Sequence, residues 1–136
     1  MQQAITLDSF LAFLTYFGAG LGVLFIAAAI VLLVTPHSEI RLIRAGNTAA
    51  AVAFGGSLVG LALPVHSAIS HSVSLLDALI WGIVAAVVQV LAFVIARIAG
   101  GKLFSKQIDD DVISAGIFSA AIAISMGLVN AAAITP

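Results

Sequence analysis

The chain has 136 residues, of which 62% are apolar and 8% are charged, and its formal net charge is −1. Soluble domains carry about 45–50% apolar and about 25% charged residues, so this composition indicates a membrane protein. The charge excludes nucleic acid as a partner, because binding phosphates needs a basic face. The absence of cysteine excludes a disulfide framework, a thiol nucleophile and a sulfur-ligated metal site.

Four long apolar runs, at about residues 11–34, 48–63, 78–96 and 112–134, cover most of the chain. A helix needs about 20 apolar residues to cross the roughly 30 Å hydrocarbon core of a bilayer. The pattern predicts an all-α integral membrane protein, with four transmembrane helices in one domain over residues 1–136. The first run lacks the basic flank of a signal peptide, so we expect it to remain as a helix.

Local signals predict where these helices begin and end. Asp8 or Ser9 is expected to cap the first helix, and Thr35, which precedes a proline, to end it. A short polar turn over residues 37–44 should lead to a second helix, from about residue 45 to residue 63, that stops before Pro64. An outer loop is expected over residues 65–73.

The second half of the chain has similar signals. Ser74 and Asp77 form a capping-box pattern that predicts the start of the third helix. Gly100 and Gly101 should end that helix. Residues 102–111 are expected to form a loop, whose three aspartates place negative charge at the positive dipole end of the fourth helix.

All five basic residues lie in two connections, between the first and second runs and between the third and fourth. They are Arg41, Arg44, Arg97, Lys102 and Lys106. Lysine and arginine near membrane spans are retained on the cytoplasmic side. The pattern therefore predicts that both basic connections lie inside and that the amino and carboxyl termini lie outside.

The second and fourth helices look like copies of one another. Residues 46–62 align without gaps with residues 116–132, and seven of the seventeen positions are identical. We therefore expect two tandem helical hairpins, at about residues 8–66 and 72–136. Because each hairpin crosses the membrane twice, the repeats would be parallel and related by an axis along the membrane normal.

Small residues predict which helices lie at the centre. The second and fourth runs are rich in Gly, Ala and Ser, which allow helix backbones to approach closely in a bilayer. These two helices are therefore expected at the centre, with the first and third facing lipid or a neighbouring subunit. The glycines expected at helix contacts are Gly18, Gly22, Gly46, Gly56, Gly60, Gly116 and Gly127.

A combination of short elements resembles a known family. The elements are Arg44 to Ala51, then Gly55, Gly56, Gly60 and Pro64, then Ser67 to Ser72, then Asp77, Trp81, Gly82, Val88 and Gln89. Together they are similar to the YjfL-type family of small bacterial inner-membrane proteins, a domain of unknown function. The resemblance implies a four-helix protein of the bacterial inner membrane, built from a duplicated hairpin, and it implies no established chemistry.

Four polar residues in or near the predicted spans are functional candidates. Gln89, Asn47, Ser57 and Asn130 each have a structural interpretation, as hydrogen-bonding or capping residues, and a functional one, as residues that line a polar path. A buried amide needs a partner in lipid, but such a bond is worth only about 0.6–2 kcal/mol. The sequence leaves both interpretations open.

His66, His71 and Asp77 form a polar cluster at the predicted outer face. Histidine titrates near pH 6.5, so the cluster could sense protons. Two histidines and one carboxylate on a loop are a weak metal signal, and Asp77 is explained by helix capping. We predict neither a metal site nor a cofactor. Because the sequence has no nucleophile–base pair, phosphate loop or nucleotide fingerprint, we predict that the protein is not an enzyme.

Two classes of function are compatible with these features, and the sequence favours the first of them. The protein could be a homo-oligomeric passive conduit for ions or small solutes, lined by the second and fourth helices. Sparse intramembrane charge argues against a proton-coupled pump. Alternatively, it could be a non-transporting interaction or scaffold module that assembles in the lipid bilayer with itself or with envelope proteins.

Overall fold

The computed structural model describes residues 5–35 and 39–134, which are entirely helix, turn and coil. The helices are α1 (Leu7–Val34), α2 (Glu39–Arg44), α3 (Thr48–Ser70), α4 (Leu75–Asp109) and α5 (Ile113–Ala133). All except α2 are long and apolar enough to cross a membrane. The all-helical fold and its four potential spans are confirmed for the described residues.

Thr6, rather than Asp8 or Ser9, caps α1. Its hydroxyl accepts a hydrogen bond from the backbone N–H of Ser9 at 3.1 Å, while the Ser9 hydroxyl accepts one from the N–H of Thr6 at 3.0 Å. The two residues form a reciprocal capping pair, in which Ser9 occupies the third helical position. At the other end, Thr35 is extended (φ −78°, ψ 127°), as predicted for a residue that precedes proline.

The prediction that the second spanning helix stops before Pro64 is wrong, because α3 continues through it to Ser70. Proline cannot donate a hydrogen bond to the carbonyl four residues earlier, here that of Gly60. That carbonyl lies against Gly127 of α5, and neighbouring helices commonly compensate such sites within membranes. The predicted outer loop is shortened accordingly, since residues 65–70 are helical.

A glycine kink divides α4. Gly101 has φ 70° and ψ −174°, which is far from helical geometry. The helix is therefore interrupted where the glycine pair predicted its end. The predicted loop that follows is wrong in part, because residues 102–109 are helical. We call residues 102–109 the terminal segment of α4. Ile108, fully buried, anchors this segment against the alanines at the start of α3.

The connection before α3 has the same form as the connection before α5. Of the turn predicted over residues 37–44, residues 37 and 38 lie outside the described residues, and the rest form α2. Gly46 donates to the carbonyl of Ile43 and Asn47 to that of Leu42, at 3.0 and 2.9 Å. The equivalent bonds from Asp111 and Val112, to residues 108 and 107, have the same lengths. These equivalent positions are 65 residues apart, whereas the sequence alignment has an offset of 70.

The spanning helices surround α3. It packs against α5, α4, α1 and α2, and its closest association is with α5. In the apolar 18-residue stretch of α3, half of the residues are buried, compared with 17% in the corresponding stretch of α1. The central position predicted for α3 is therefore observed, and α1 is the most exposed span. We call the end of the bundle that carries α2 and the terminal segment of α4 the basic end.

Candidate functional site: polar residues of the helical bundle

Glycines bring the backbones of α3 and α5 into direct contact. A methyl group added to Gly127 would overlap the backbone of Gly60, and one added to Gly116 would overlap the backbone of Ala49. A methyl group at Gly56 would meet the backbone of α5 in the same way. Small residues thus hold the two helices together along most of their length, which leaves no space for solvent between them at these positions.

Three of the other predicted packing glycines do not lie at helix contacts within the described part of the chain. A methyl group on Gly18 or Gly22 would meet no atom within 4 Å, whereas one on Gly20 would meet Ile69 of α3 at 2.6 Å. The face of α1 that packs is therefore the one that carries Gly20. Gly46 lies in the turn before α3 with φ 90°. Its role there is conformational, because side chains rarely adopt this backbone geometry.

Gln89 and Asn130 lie together where α4 meets α5. The Gln89 side chain is buried, and its Nε2 donates to the carbonyl of Ala123 at 3.0 Å. Asn130 Nδ2 donates to the carbonyl of Ala85 at 3.0 Å and to Gln89 Oε1 at 3.5 Å. The two amides therefore join α4 to α5, and both of their donor groups have partners inside the protein.

Ser57 lines a cavity that Gln89 also lines. Its hydroxyl is buried and donates to the carbonyl of Ala53 in its own helix at 3.1 Å. The cavity has a volume of about 450 Å³ and reaches from Ser57 and Gln89 to Arg97 near the kink of α4. It connects two of the predicted polar residues through a largely apolar space.

Asn47 lies at the basic end, away from the other three polar residues. Its Oδ1 accepts from the N–H of Ala50 at 2.8 Å, and this bond caps α3. Its Nδ2 donates to the carbonyls of Ile108 and Asp109, at 2.9 and 3.2 Å. Helix ends have backbone N–H or carbonyl groups without a partner in the helix. The Asn47 side chain supplies partners for such groups both at the start of α3 and at the end of the terminal segment of α4.

Asp111 has a matching role in the opposite direction. Its Oδ1 accepts from the N–H of Ala49 at 2.9 Å, so it caps α3 rather than α5. The helix that follows it, α5, has Val112 as its N-cap residue and receives no side-chain cap. The expectation that the aspartates serve the fourth spanning helix is therefore corrected for Asp111. Because Asp111 lies just before α5 in the sequence, its contact with Ala49, 62 residues away, was not predicted.

The structure does not bring the three residues of the predicted outer cluster together at one site. Ser74 caps α4 as predicted, by accepting from the N–H of Asp77 at 3.1 Å, and Asp77 accepts from the N–H of Val73 at 3.1 Å. His71 Nδ1 lies 2.9 Å from the carbonyl of Ser67, and His66 is exposed at the surface of α3. Within residues 5–35 and 39–134, no three His, Asp or Glu side chains are grouped to hold a metal ion.

The basic end contains a glutamate whose burial the sequence did not predict. Glu39, the single glutamate in the chain, is 4% exposed at the start of α2. Arg97 of α4 has attractive electrostatic interactions with Glu39 and with Asp109. Its guanidinium carbon also lies 5.6 Å from the centre of the Phe93 ring. Arg97 therefore has an electrostatic partner on α2, in addition to any role in topology.

The other four basic residues lie on the two short helical pieces of the basic end. Arg41 and Arg44 lie on α2, and Lys102 and Lys106 lie on the terminal segment of α4. In sequence, Glu39 reads as a loop residue beside this basic stretch. Ile40 and Ile43 are three residues apart, a spacing compatible with a short helix, but the sequence does not show which neighbour buries the carboxylate.

Comparison with known proteins agrees with this architecture. The model of the family described as Domain of Unknown Function (DUF350) matches residues 4–134. The chain belongs to this family. It is 39% identical over 133 residues to the UPF0719 inner membrane protein YjfL of Escherichia coli K12, covering 95% of this chain and 97% of that protein. The predicted family resemblance is therefore confirmed.

A more distant relative comes from another bacterium. The chain is 30% identical over 103 residues to the UPF0719 transmembrane protein YshE of Bacillus subtilis 168, covering 75% of this chain and 77% of that protein. No solved structure is matched by the chain. This member of the DUF350 family is thus a multi-pass membrane protein, and its described residues include four helices that can span a bilayer.

Proposed function

We propose that the protein is a non-enzymatic, non-transporting interaction module of the bacterial inner membrane, which assembles with copies of itself. The observation that carries this proposal is the arrangement of α3 and α5. Their backbones are in contact at Gly60 and Gly127, along the line where an axis relating the two hairpins would run. A rigid centre of this kind suits a scaffold whose outer helices contact partners.

The polar residues support a structural centre more than a conducting one. Gln89 donates to the carbonyl of Ala123 and Asn130 to that of Ala85. Ser57 donates within its own helix, and Asn47 lies at the basic end as a cap. A conducting path needs polar groups that exchange their partners with the solute, whereas these groups are committed to helix ends and helix contacts.

The surface proposed for self-assembly is one face of α1. Gly18 and Gly22 lie on it with open space over both Cα atoms, and Leu11 and Phe25 on the same face are 50% and 62% exposed. A pair of small residues four positions apart allows two helices to cross closely in lipid. The same face from two copies is self-complementary, as a two-fold interface requires.

Disulfide cross-linking tests this surface, because the chain has no cysteine of its own. Phe25→Cys should form a covalent dimer in membranes under mild oxidation, and Gly22→Leu added to it should abolish that dimer by blocking the close approach. Val129→Cys, 72% exposed on α5, serves as the control for random collision. Equal cross-linking from both positions, or a dimer that persists with Gly22→Leu, would refute the assembly face.

Two further features belong to the proposal. The matching hydrogen bonds of the turns at Gly46 and Asp111 support an origin from two tandem hairpins. The concentration of Arg41, Arg44, Lys102 and Lys106 at one end supports placing that end in the cytoplasm, with both termini outside. The basic end would then be the surface for peripheral or envelope partners, and α1 the surface for a second copy.

A passive conduit for ions or small solutes is the second candidate, and one observation favours it. The cavity beside Ser57 and Gln89 extends to the basic end, as the inner half of a path would. Its apolar lining and the α3–α5 contact make it the less favoured candidate. Solute flux through reconstituted protein separates the two.

A further inference from the structure

The cavity beside Gln89 has the dimensions of a ligand site. Its volume of about 450 Å³ is within the range of roughly 300–1,000 Å³ that is typical of small-molecule sites. It lies between α3, α4 and α5, next to Val31 of α1, and it ends near the kink of α4. At that end Phe104 packs edge-to-face on Phe118 of α5, with the ring centres 6.5 Å apart.

The chemistry of the lining selects an apolar occupant. Most lining side chains are aliphatic or aromatic, among them Leu61, Phe93, Ile122 and Met126. The two polar groups at the deep end already donate to backbone carbonyls. Water in a cavity needs two to four polar partners, whereas apolar cavities stay dry and accept apolar guests. Hydrocarbon is therefore the occupant that this space favours.

The mouth of the cavity opens toward lipid between α4 and α5. Ile95 and Phe118 both line the cavity, yet they are 65% and 61% exposed. Both residues lie in the half of their helix nearer the basic end. A chain of the bilayer leaflet at that end can therefore reach the cavity sideways, without crossing the bundle.

Cationic side chains lie where the cavity reaches the basic end. Arg97 lines the cavity and also an adjacent, more open depression of about 410 Å³, together with Lys102 and Ser105. Val34 and Ile98 form apolar walls of that depression. We propose that the cavity holds one acyl chain of a phospholipid from the leaflet at the basic end, with the lipid phosphate beside Arg97 and Lys102.

Retention of lipid by the purified full-length protein tests the proposal. The protein is reconstituted in nanodiscs of palmitoyl-oleoyl phosphatidylglycerol, extracted into mild detergent and examined by native mass spectrometry. The wild type should retain one phospholipid. Ser119→Phe, which fills the cavity from α5, should reduce retention to the level of the detergent background. Ser125→Phe, on the exposed face of the same helix, should retain the lipid.

A second pair of variants tests the site independently, in case Ser119→Phe prevents folding. Ala96→Leu fills the cavity from α4, and Ala92→Leu changes a half-buried alanine of the same helix outside the lining. Loss of the lipid with Ala96→Leu and not with Ala92→Leu would support the site. Full retention by a folded cavity-filling variant, or no lipid on the wild type, would overturn it. So would a fatty acid or an isoprenoid quinone retained in place of a phospholipid when the protein is purified from native membranes.

Discussion

Asp111, in the turn that leads into α5, accepts a hydrogen bond from the backbone N–H of Ala49 at the start of α3, at 2.9 Å. Asn47, in the turn that leads into α3, donates in return to the carbonyl of Ile108 at 2.9 Å. Each turn therefore supplies a side chain that hydrogen-bonds a backbone group at a helix end beside the other turn. This exchange fixes the start of α3 beside the start of α5, from which the glycine contact between the two helices follows.

Replacing Asp111 with Ala should reduce the free energy of unfolding by about 0.5–2 kcal/mol, because α3 loses a side-chain cap. Asn should be tolerated at this position, since its carbonyl oxygen can accept the same bond and Asn readily adopts the left-handed conformation that Asp111 has, with φ 59°. Thermal unfolding in detergent measures both variants. Equal losses from Asn and Ala would show that charge, rather than the cap, is what the position provides.

Gly127→Ala should destabilise the protein by about 1–3 kcal/mol, the usual range for overpacking, because the added methyl group would overlap the Gly60 backbone. Gly55→Ala is the matched control within α3, since a methyl group there meets no atom within 4 Å. Higher helix propensity should make that change neutral or stabilising. If chemical denaturation gave both variants the same stability, the close α3–α5 contact would be contradicted.

Gln89→Leu should fold, with a loss of about 0.6–2 kcal/mol for the bond between helices. Asn130→Leu should have a loss of similar size, and the double variant should lose less than the sum, because the two amides contact each other. A double-mutant cycle of unfolding free energies measures this coupling. Strictly additive losses would show that Gln89 and Asn130 act independently, and failure of Gln89→Leu to insert would indicate a larger structural role.

Single cysteines report which end of the bundle is outside. Ser70→Cys, exposed at the end of α3, should react in intact cells or right-side-out vesicles with a thiol reagent that cannot cross membranes. Asp110→Cys, exposed at the basic end, should react only after the membrane is opened. The reverse pattern would contradict the orientation inferred from the arginines and lysines.

Local signals predicted several features that depend on neighbouring residues, although they placed the cap of α1 at Asp8 or Ser9 instead of Thr6. The cap at Ser74, the extended Thr35 and the interruption of α4 at Gly101 each follow from a side chain or a backbone preference acting within a few residues. The four spans follow from composition alone, because the bilayer demands long apolar helices.

Features that depend on distant contacts were not predictable in the same way. Pro64 reads as a helix end, but α5 covers the carbonyl that it leaves without a bond. Gly18, Gly20 and Gly22 are all compatible with close packing, and only the crossing of α1 with α3 selects Gly20. The electrostatic influence of Glu39 on Arg97 could not be predicted without knowing where α2 lies relative to α4. For the candidate site, the residue types were therefore identified, and their partners were not.

Flux through proteoliposomes tests the central claim most directly. Purified protein, reconstituted with its orientation verified by the cysteine labels, is assayed for K⁺, Na⁺, H⁺ and Cl⁻ movement beside its Gln89→Leu variant. A non-transporting module should give no flux above that of empty liposomes for either protein. Selective flux in the wild type that Gln89→Leu alters would contradict the proposal and establish a conduit lined by Gln89.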